Sequence, residues 1–210
     1  MNNKIILFDF DGTIADSSTV ILKVVNQLAE KFGYKKVDDI DKFRNKGISE
    51  LFKEFQVPLI KLPFFLVQYR KEYRKEIANV APIIGIPSAL KNIKREGYKF
   101  GIITSNSREN VIIFLEKFKL NFFDYIYADI GFFGKSGAIK KCLKRNKIDS
   151  SKVLLIGDET RDIEAARKNG IKVIAVTWGL QSKEMLKKFY PDCIVDSSQD
   201  LLKTIRGLNF

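Results

Sequence analysis

Hydrophobic positions along this chain gather into short apolar runs that stop abruptly at acidic or hydroxyl residues. Lys4–Phe10 (KIILFDF) leads into Asp11 and Gly12, and Tyr98–Thr104 (YKFGIIT) into Ser105-Asn106-Ser107. Val153–Gly157 (VLLIG) leads into Asp158-Glu159-Thr160, and Lys172–Thr177 (KVIAVT) into Trp178-Gly179. Tyr125–Ala128 supplies one shorter run. Near-continuous apolar runs of this length predict strands buried on both faces, as in a parallel sheet.

Helical patterns fill the intervals. Pro87 sits in the first turn of a segment that stops at Gly97, Ser107 is placed to cap a stretch ending near Phe118, and Thr160 opens a segment closed by Gly170. Strands alternating with helices predict an α/β fold, a Rossmann-like parallel sheet with helices on both faces. Ligands of such sheets bind beyond the carboxyl ends of the strands, where the polar clusters fall here. The alternation lapses from about Asp16 to Val80. There Val20, Val24 and Leu28, and again Leu51 and Phe55, keep helical spacing. We read 16–80 as an inserted α-helical cap and 1–15 with 81–210 as the core, joined by hinges near Asp16–Ser18 and Val80–Gly85. The apolar stretch Pro58–Val67 is assigned to the interior of the cap, with a cleft wall or dimer contact as the other reading.

At 210 residues the chain should bury roughly 70–75% of its unfolded surface, enough for one core and a small second lobe. Cys142 and Cys193 are isolated, without CxxC spacing, which fits a reducing compartment. Asp9 and Asp11 arrive before a signal-type apolar segment can form, and Val57–Val67 is short and interrupted by Lys61. The expectation is a cytoplasmic protein without a membrane partner, a monomer or weak homodimer. The net charge of +12 comes mostly from lysines, 28 against 9 arginines, scattered among acidic residues. That texture describes a solvated surface and argues against a nucleic-acid partner. The chain has no histidine, which excludes Ser-His-Asp and Cys-His catalysis, histidine-ligated zinc and histidine proton relays.

Chemistry therefore rests on carboxylates, lysines, hydroxyls and a bound ion. In extended Asp9-Phe10-Asp11-Gly12-Thr13 the two carboxylates share a face with Phe10 opposed. Such a pair before a turning glycine suits a hard cation, although alone it equally fits a solvated turn. Gly157-Asp158-Glu159-Thr160-Arg161-Asp162 adds a second acidic cluster, with Asp158 and Asp162 four residues apart across a helix start. If the two strands are neighbours, three or four carboxylates converge, and a divalent cation turns their repulsion into a binding site. Glu159 and Asp162 also suit a helix N-terminus on dipole grounds alone.

DFDGT, Thr104 at the end of the second strand, Lys135 later in the chain and GDETRD together resemble the four ordered motifs of the haloacid dehalogenase (HAD) superfamily of phosphatases. The helical insertion after the first motif is similar to that of its phosphoglycolate-phosphatase-like branch. The resemblance implies a phosphatase in which Asp9 attacks phosphorus and becomes an aspartyl phosphate while Asp11 serves as acid and then base. It implies Mg²⁺ on the Asp9 carboxylate, the Asp11 backbone carbonyl and the Asp158 carboxylate, with Asp162 and Glu159 ordering the metal's surroundings. Thr104 and Ser105, with Gly12 and Thr13, would hold phosphate oxygens, and Lys135 would neutralise charge beside Asp9. The proline that usually follows this lysine is absent, since the text is Gly134-Lys135-Ser136-Gly137, and Lys140 and Lys141 are fallbacks. Asn106 and Arg108 are placed either to reach substrate or to cap a helix and meet solvent. Arg44 and Lys46 resemble the cap loop facing the active site, where they would meet a substrate carboxylate or second phosphate. A solvated charged face is the other reading.

The missing histidine weakens the resemblance to mutase and phosphonate-cleaving relatives, which employ one in the cap, and Asp11 weakens that to the dehalogenases. The implied substrate is a small phosphorylated metabolite: phosphoglycolate, a sugar phosphate or a nucleotide. Two other readings keep the fold: a non-catalytic phosphate-binding or regulatory protein, and a phosphatase of nucleic-acid ends.

Overall fold

The strand runs pair as neighbours in one sheet. A computed structural model describes residues 4–37, 44–54, 56, 59–131 and 134–210. Within them, β1 (Ile5–Phe8), β4 (Lys99–Ile103), β5 (Tyr125–Tyr127), β6 (Val153–Gly157), β7 (Lys172–Val176) and β8 (Cys193–Val195) form a parallel sheet in the order β5-β4-β1-β6-β7-β8. β1 lies between β4 and β6, with Phe8 opposite both Ile102 and Ile156. One residue further on, Asp9 therefore leaves the sheet beside the ends of both neighbours. Its backbone N–H still donates to Ile156 O at 2.8 Å.

Period-two alternation divides each strand between two apolar layers. Ile6 and Phe8 pack in one layer with Leu90, Phe100, Phe114, Leu154 and Ile156; Ile5 and Leu7 pack in the other with Ile139, Leu155 and Ile163. The first layer is covered by α4 (Ile86–Arg95), α5 (Arg108–Lys117) and α9 (Leu201–Gly207). The second is covered by α6 (Lys135–Asn146), α7 (Thr160–Lys168) and α8 (Lys183–Lys187). The sheet is thus wrapped by helices on both faces in the Rossmann-like manner. The helix ends follow their sequence signals. Pro87 stands in the first turn of α4, and the Ser107 hydroxyl caps α5 by accepting from Asn110 N at 3.1 Å.

Between the first strand and α4 lie α1 (Ser18–Phe32), α2 (Ile48–Glu54) and α3 (Leu62–Glu76). α1 and α3 meet through Val24, Leu28, Phe32 and Phe65, the two rings edge-to-face at 5.4 Å. The chain leaves and re-enters this region through a small antiparallel pair, β2 (Ala15–Asp16) with β3 (Ala81–Pro82), which the sequence reading leaves as hinge. β8 also goes unread there.

The apolar stretch at the start of α3 corrects the sequence expectation. Phe65 and Leu66 are buried, but Ile60 (87% exposed), Phe64 (72%) and Val67 (59%) face solvent. Phe64 and Val67 lie three apart on a face of α3 turned outward and Ile60 lies in the turn before it, so Phe65 and Leu66 are the members of the stretch seen to serve the interior. Phe55, Val57 and Pro58 lie outside the described residues. Among the described residues no helix is long and apolar enough to cross a membrane.

Candidate active site

The sheet topology gathers the acidic clusters. Asp9, Asp158 and Asp162 are buried, and each offers a carboxylate oxygen within 4.8 Å of the others. Asp9 follows β1 and Asp158 follows β6, so their meeting is a direct consequence of β1–β6 pairing. Asp162 arrives from the first turn of α7. There a capping box closes, in which Glu159 N donates to Asp162 Oδ2 at 3.1 Å.

Each carboxylate is aimed by its neighbours. Asp9 Oδ1 accepts from Phe10 N at 2.7 Å while the Phe10 ring turns into the core against Phe114 at 5.0 Å. Asp158 accepts from Thr13 Oγ1 at 2.6 Å and from Leu180 N at 2.7 Å. Gly12, at φ +75°, and Gly179 press so closely on Asp158 that a Cβ on either would fall within 2.3 Å of Oδ2. No larger residue fits either place without moving that carboxylate.

Lys135, the first residue of α6, is buried and bridges Asp9 Oδ2 and Asp162 Oδ1 through its ammonium. Burial opposes its charge, but Asp162 and Asp9 override that and hold the group protonated. Lys140 and Lys141 are exposed on the same helix. One lysine does not balance three carboxylates. Burial, together with the crowding of Asp9, Glu159 and Asp162, keeps Asp158 well above the usual carboxylate range, and burial likewise raises Asp162. Three hard oxygen donors with unbalanced negative charge suit a small divalent cation. Burial also disfavours the charge of Glu159, yet Arg161, which grips it at 2.5 and 2.6 Å, holds its carboxyl below the usual value.

The Asp11 side chain lies apart from the cluster. Its Oδ1 accepts from Tyr73 Oη at 2.8 Å and its Oδ2 from Asn106 Nδ2 at 3.0 Å. Burial, reinforced by Asp9 and only partly offset by these bonds, pushes its carboxyl up to about 6. Thr104 and Asn106 are buried, and Thr104 Oγ1 accepts from Asn106 N at 3.0 Å, which shapes the loop after β4. Ser105 O accepts from Arg70 Nε at 2.9 Å. Arg108, by contrast, is exposed and donates to Ile126 O at 3.0 Å, away from this cluster.

The two cations just before α2 part company. Lys46 pairs with Glu54. Arg44 lines a cavity of about 120 Å³ with Ser18, Ile21, Leu22, Trp178, Gly179 and Leu180, and its Nε is buried without a hydrogen-bond partner among the described residues. The loop carrying them is tied to the core by Gln181, which accepts from Thr160 N at 2.5 Å and donates to Lys46 O at 3.0 Å. Tyr73, Arg70 and Gln181 are site neighbours that the sequence reading does not name, and Trp178 enters it only as the residue that follows an apolar run. Trp178 and Gly179 carry a signal, as the residues ending the fourth apolar run; Tyr73 and Arg70 carry none beyond helical spacing.

Residues 6–176 match the family described as haloacid dehalogenase-like hydrolase. A phosphoglycolate phosphatase from Synechococcus elongatus is 29% identical over 97% of both chains. The pyrophosphatase PpaX of Bacillus mycoides is 25% identical over the full length of both. The crystal structure of a predicted phosphatase from Clostridium acetobutylicum superposes with a TM-score of 0.84 at 28% identity, covering 99% of this chain and all of the other. With its acidic cluster built at the ends of β1 and β6, and with the family match spanning most of its length, the chain belongs to the haloacid dehalogenase-like hydrolases.

Proposed function

We propose that the protein is a cytoplasmic Mg²⁺-dependent phosphatase that hydrolyses a small phosphorylated metabolite through an aspartyl phosphate on Asp9. The observation that carries this reading is the convergence of Asp9, Asp158 and Asp162 at the carboxyl edge of the sheet, with the Lys135 ammonium bridging Asp9 and Asp162. The relatives named as phosphatases support the reaction class.

The Asp9 and Asp158 carboxylates, with Asp162 beside them, are the residues that would hold Mg²⁺, and their all-oxygen chemistry fits that ion. Bound there, the ion would draw charge from the phosphoryl oxygens. Asp9 attacks phosphorus with a carboxylate oxygen. Lys135, already against that carboxylate, neutralises charge as the phosphoryl group moves. The Thr104 hydroxyl and the backbone after it hold phosphate oxygens. Asp11 gives its proton to the leaving oxygen and then takes one from the water that hydrolyses the aspartyl phosphate, a role that contributes about 10²–10⁴-fold.

Residues 16–80 act as the cap, pivoting on the β2–β3 pair and excluding water while the phosphoryl group is transferred. Of the two cap-loop cations, Arg44 is the better placed for a substrate anion, since Lys46 is engaged by Glu54. A small substrate with a second negative group, as in 2-phosphoglycolate or pyrophosphate, suits that arrangement, and the protein works as a monomer or weak homodimer.

The reading is tested by phosphate release from a panel containing 2-phosphoglycolate, pyrophosphate, sugar phosphates, nucleotides and 5′-phosphorylated oligonucleotides, with and without Mg²⁺. Mg²⁺-dependent turnover of one of the small esters or of pyrophosphate supports it. No turnover on any compound favours a non-catalytic protein, and preference for oligonucleotides with a steep loss in salt favours a nucleic-acid-end phosphatase.

A further inference from the structure

The Asp11 carboxylate is clamped from two sides, and one side belongs to α3. Asn106, beside Thr104 on the loop after β4, donates to Oδ2; Tyr73, 62 residues away in sequence on α3, donates to Oδ1 at 2.8 Å. The Tyr73 side chain is fully buried and its ring packs beside Tyr69 at 5.8 Å. One turn earlier Arg70 fixes the register of the helix. It donates to Ser105 O and Ile130 O, each at 2.9 Å, while Asn110 Nδ2 donates back to Arg70 O at 3.3 Å. The phenol is thus delivered to Asp11 by a helix pinned to the loops that surround the phosphate site.

We propose that Tyr73 is a positioning residue for the Asp11 proton transfer, its hydroxyl fixing the plane of the carboxyl so that the acid's proton points at the leaving oxygen. The inference rests on the phosphatase reading above. In the first half-reaction an Asp9 oxygen bonds to phosphorus as the bond to the leaving oxygen breaks. The electron pair of that bond goes to the leaving oxygen, the Asp11 proton follows it there, and Asp11 is left as a carboxylate accepting from Tyr73. Without the phenol, Asn106 still holds Oδ2, and the carboxyl is freer to turn about its terminal torsion, which is broad and two-fold. Two donors on two oxygens remove that freedom. Because α3 carries one of them, the aim of the acid depends on this helix being docked on the β4 loop.

The consequence depends on the leaving group. A 4-nitrophenolate departs with little need of a proton, whereas phenolate, a stronger base, needs one. Tyr73→Phe keeps the ring and removes only the hydroxyl. The measurement is kcat/KM with Mg²⁺ for p-nitrophenyl phosphate and for phenyl phosphate, in the wild type and in Tyr73→Phe. The ratio of the two substrates does not depend on how much of either preparation is folded. The expected result is a loss on phenyl phosphate at least about tenfold greater than on p-nitrophenyl phosphate. An equal loss on both, or none, overturns the role of Tyr73 and leaves the phosphatase reading standing. A wild type that hydrolyses neither these esters nor any compound of the metabolite panel overturns both together.

Discussion

Gly179 lies against Asp158 so closely that a Cβ built on it would fall 2.3 Å from the carboxylate Oδ2 and 2.4 Å from Cβ. The next residue, Leu180, donates its backbone N–H to the same oxygen at 2.7 Å. The loop after β7 therefore sets the position of a carboxylate that belongs to β6, and does so with backbone alone. Gly179→Ala is expected to push Asp158 out of register and to raise the Mg²⁺ concentration for half-maximal phosphatase activity by about 10–100-fold. Gly137→Ala is the matched control, because among the described residues a Cβ there meets nothing within 4 Å and the residue lies inside α6. It should leave the Mg²⁺ titration unchanged and stabilise the fold by about 0.5–1 kcal/mol. Equal titrations for Gly179→Ala and wild type would contradict this account of Asp158.

Lys135 contacts both Asp9 and Asp162 from the start of α6. Lys135→Ala removes the charge that balances the nucleophile and is expected to lower kcat by at least about 10²-fold. It also leaves buried carboxylates unpaired, so the unfolding midpoint in the absence of Mg²⁺ should fall, by a free energy of about 3–5 kcal/mol. Lys140→Ala, exposed on the same helix, should keep turnover within twofold of wild type. Steady-state kinetics of the two variants side by side decide the assignment, and wild-type turnover in Lys135→Ala would move the role elsewhere.

What the sequence made legible follows from how local each signal is. The buried runs at β1, β4, β6 and β7 announce themselves by length and by the polar residues at their ends. The match of Asp158 to Asp9 needs only that β1 and β6 be neighbours, which their pairing supplies. β8, with three residues in Asp192-Cys193-Ile194-Val195-Asp196, is too short for periodicity to mark, and the β2–β3 pair exists only because distant segments meet. Tyr73 and Arg70 carry no local signature. On a helix of mixed composition they read as interior and surface, and only the docking of α3 on the β4 loop shows their reach to Asp11 and Ser105. Ile60, Phe64 and Val67 mislead for the opposite reason, since an apolar stretch in sequence says nothing about which helical face turns to solvent.

The measurement closest to the centre of the account is Mg²⁺-dependent release of phosphate from p-nitrophenyl phosphate by Asp9→Asn beside the wild type. The variant keeps the size of a side chain that sits against Phe10 N and Lys135 and loses the charged carboxylate proposed both to attack phosphorus and to hold Mg²⁺. Turnover is expected in the wild type, with a loss of at least about 10⁴-fold in Asp9→Asn. Turnover in the variant within a few fold of wild type would contradict the assignment of Asp9 as the residue that attacks phosphorus.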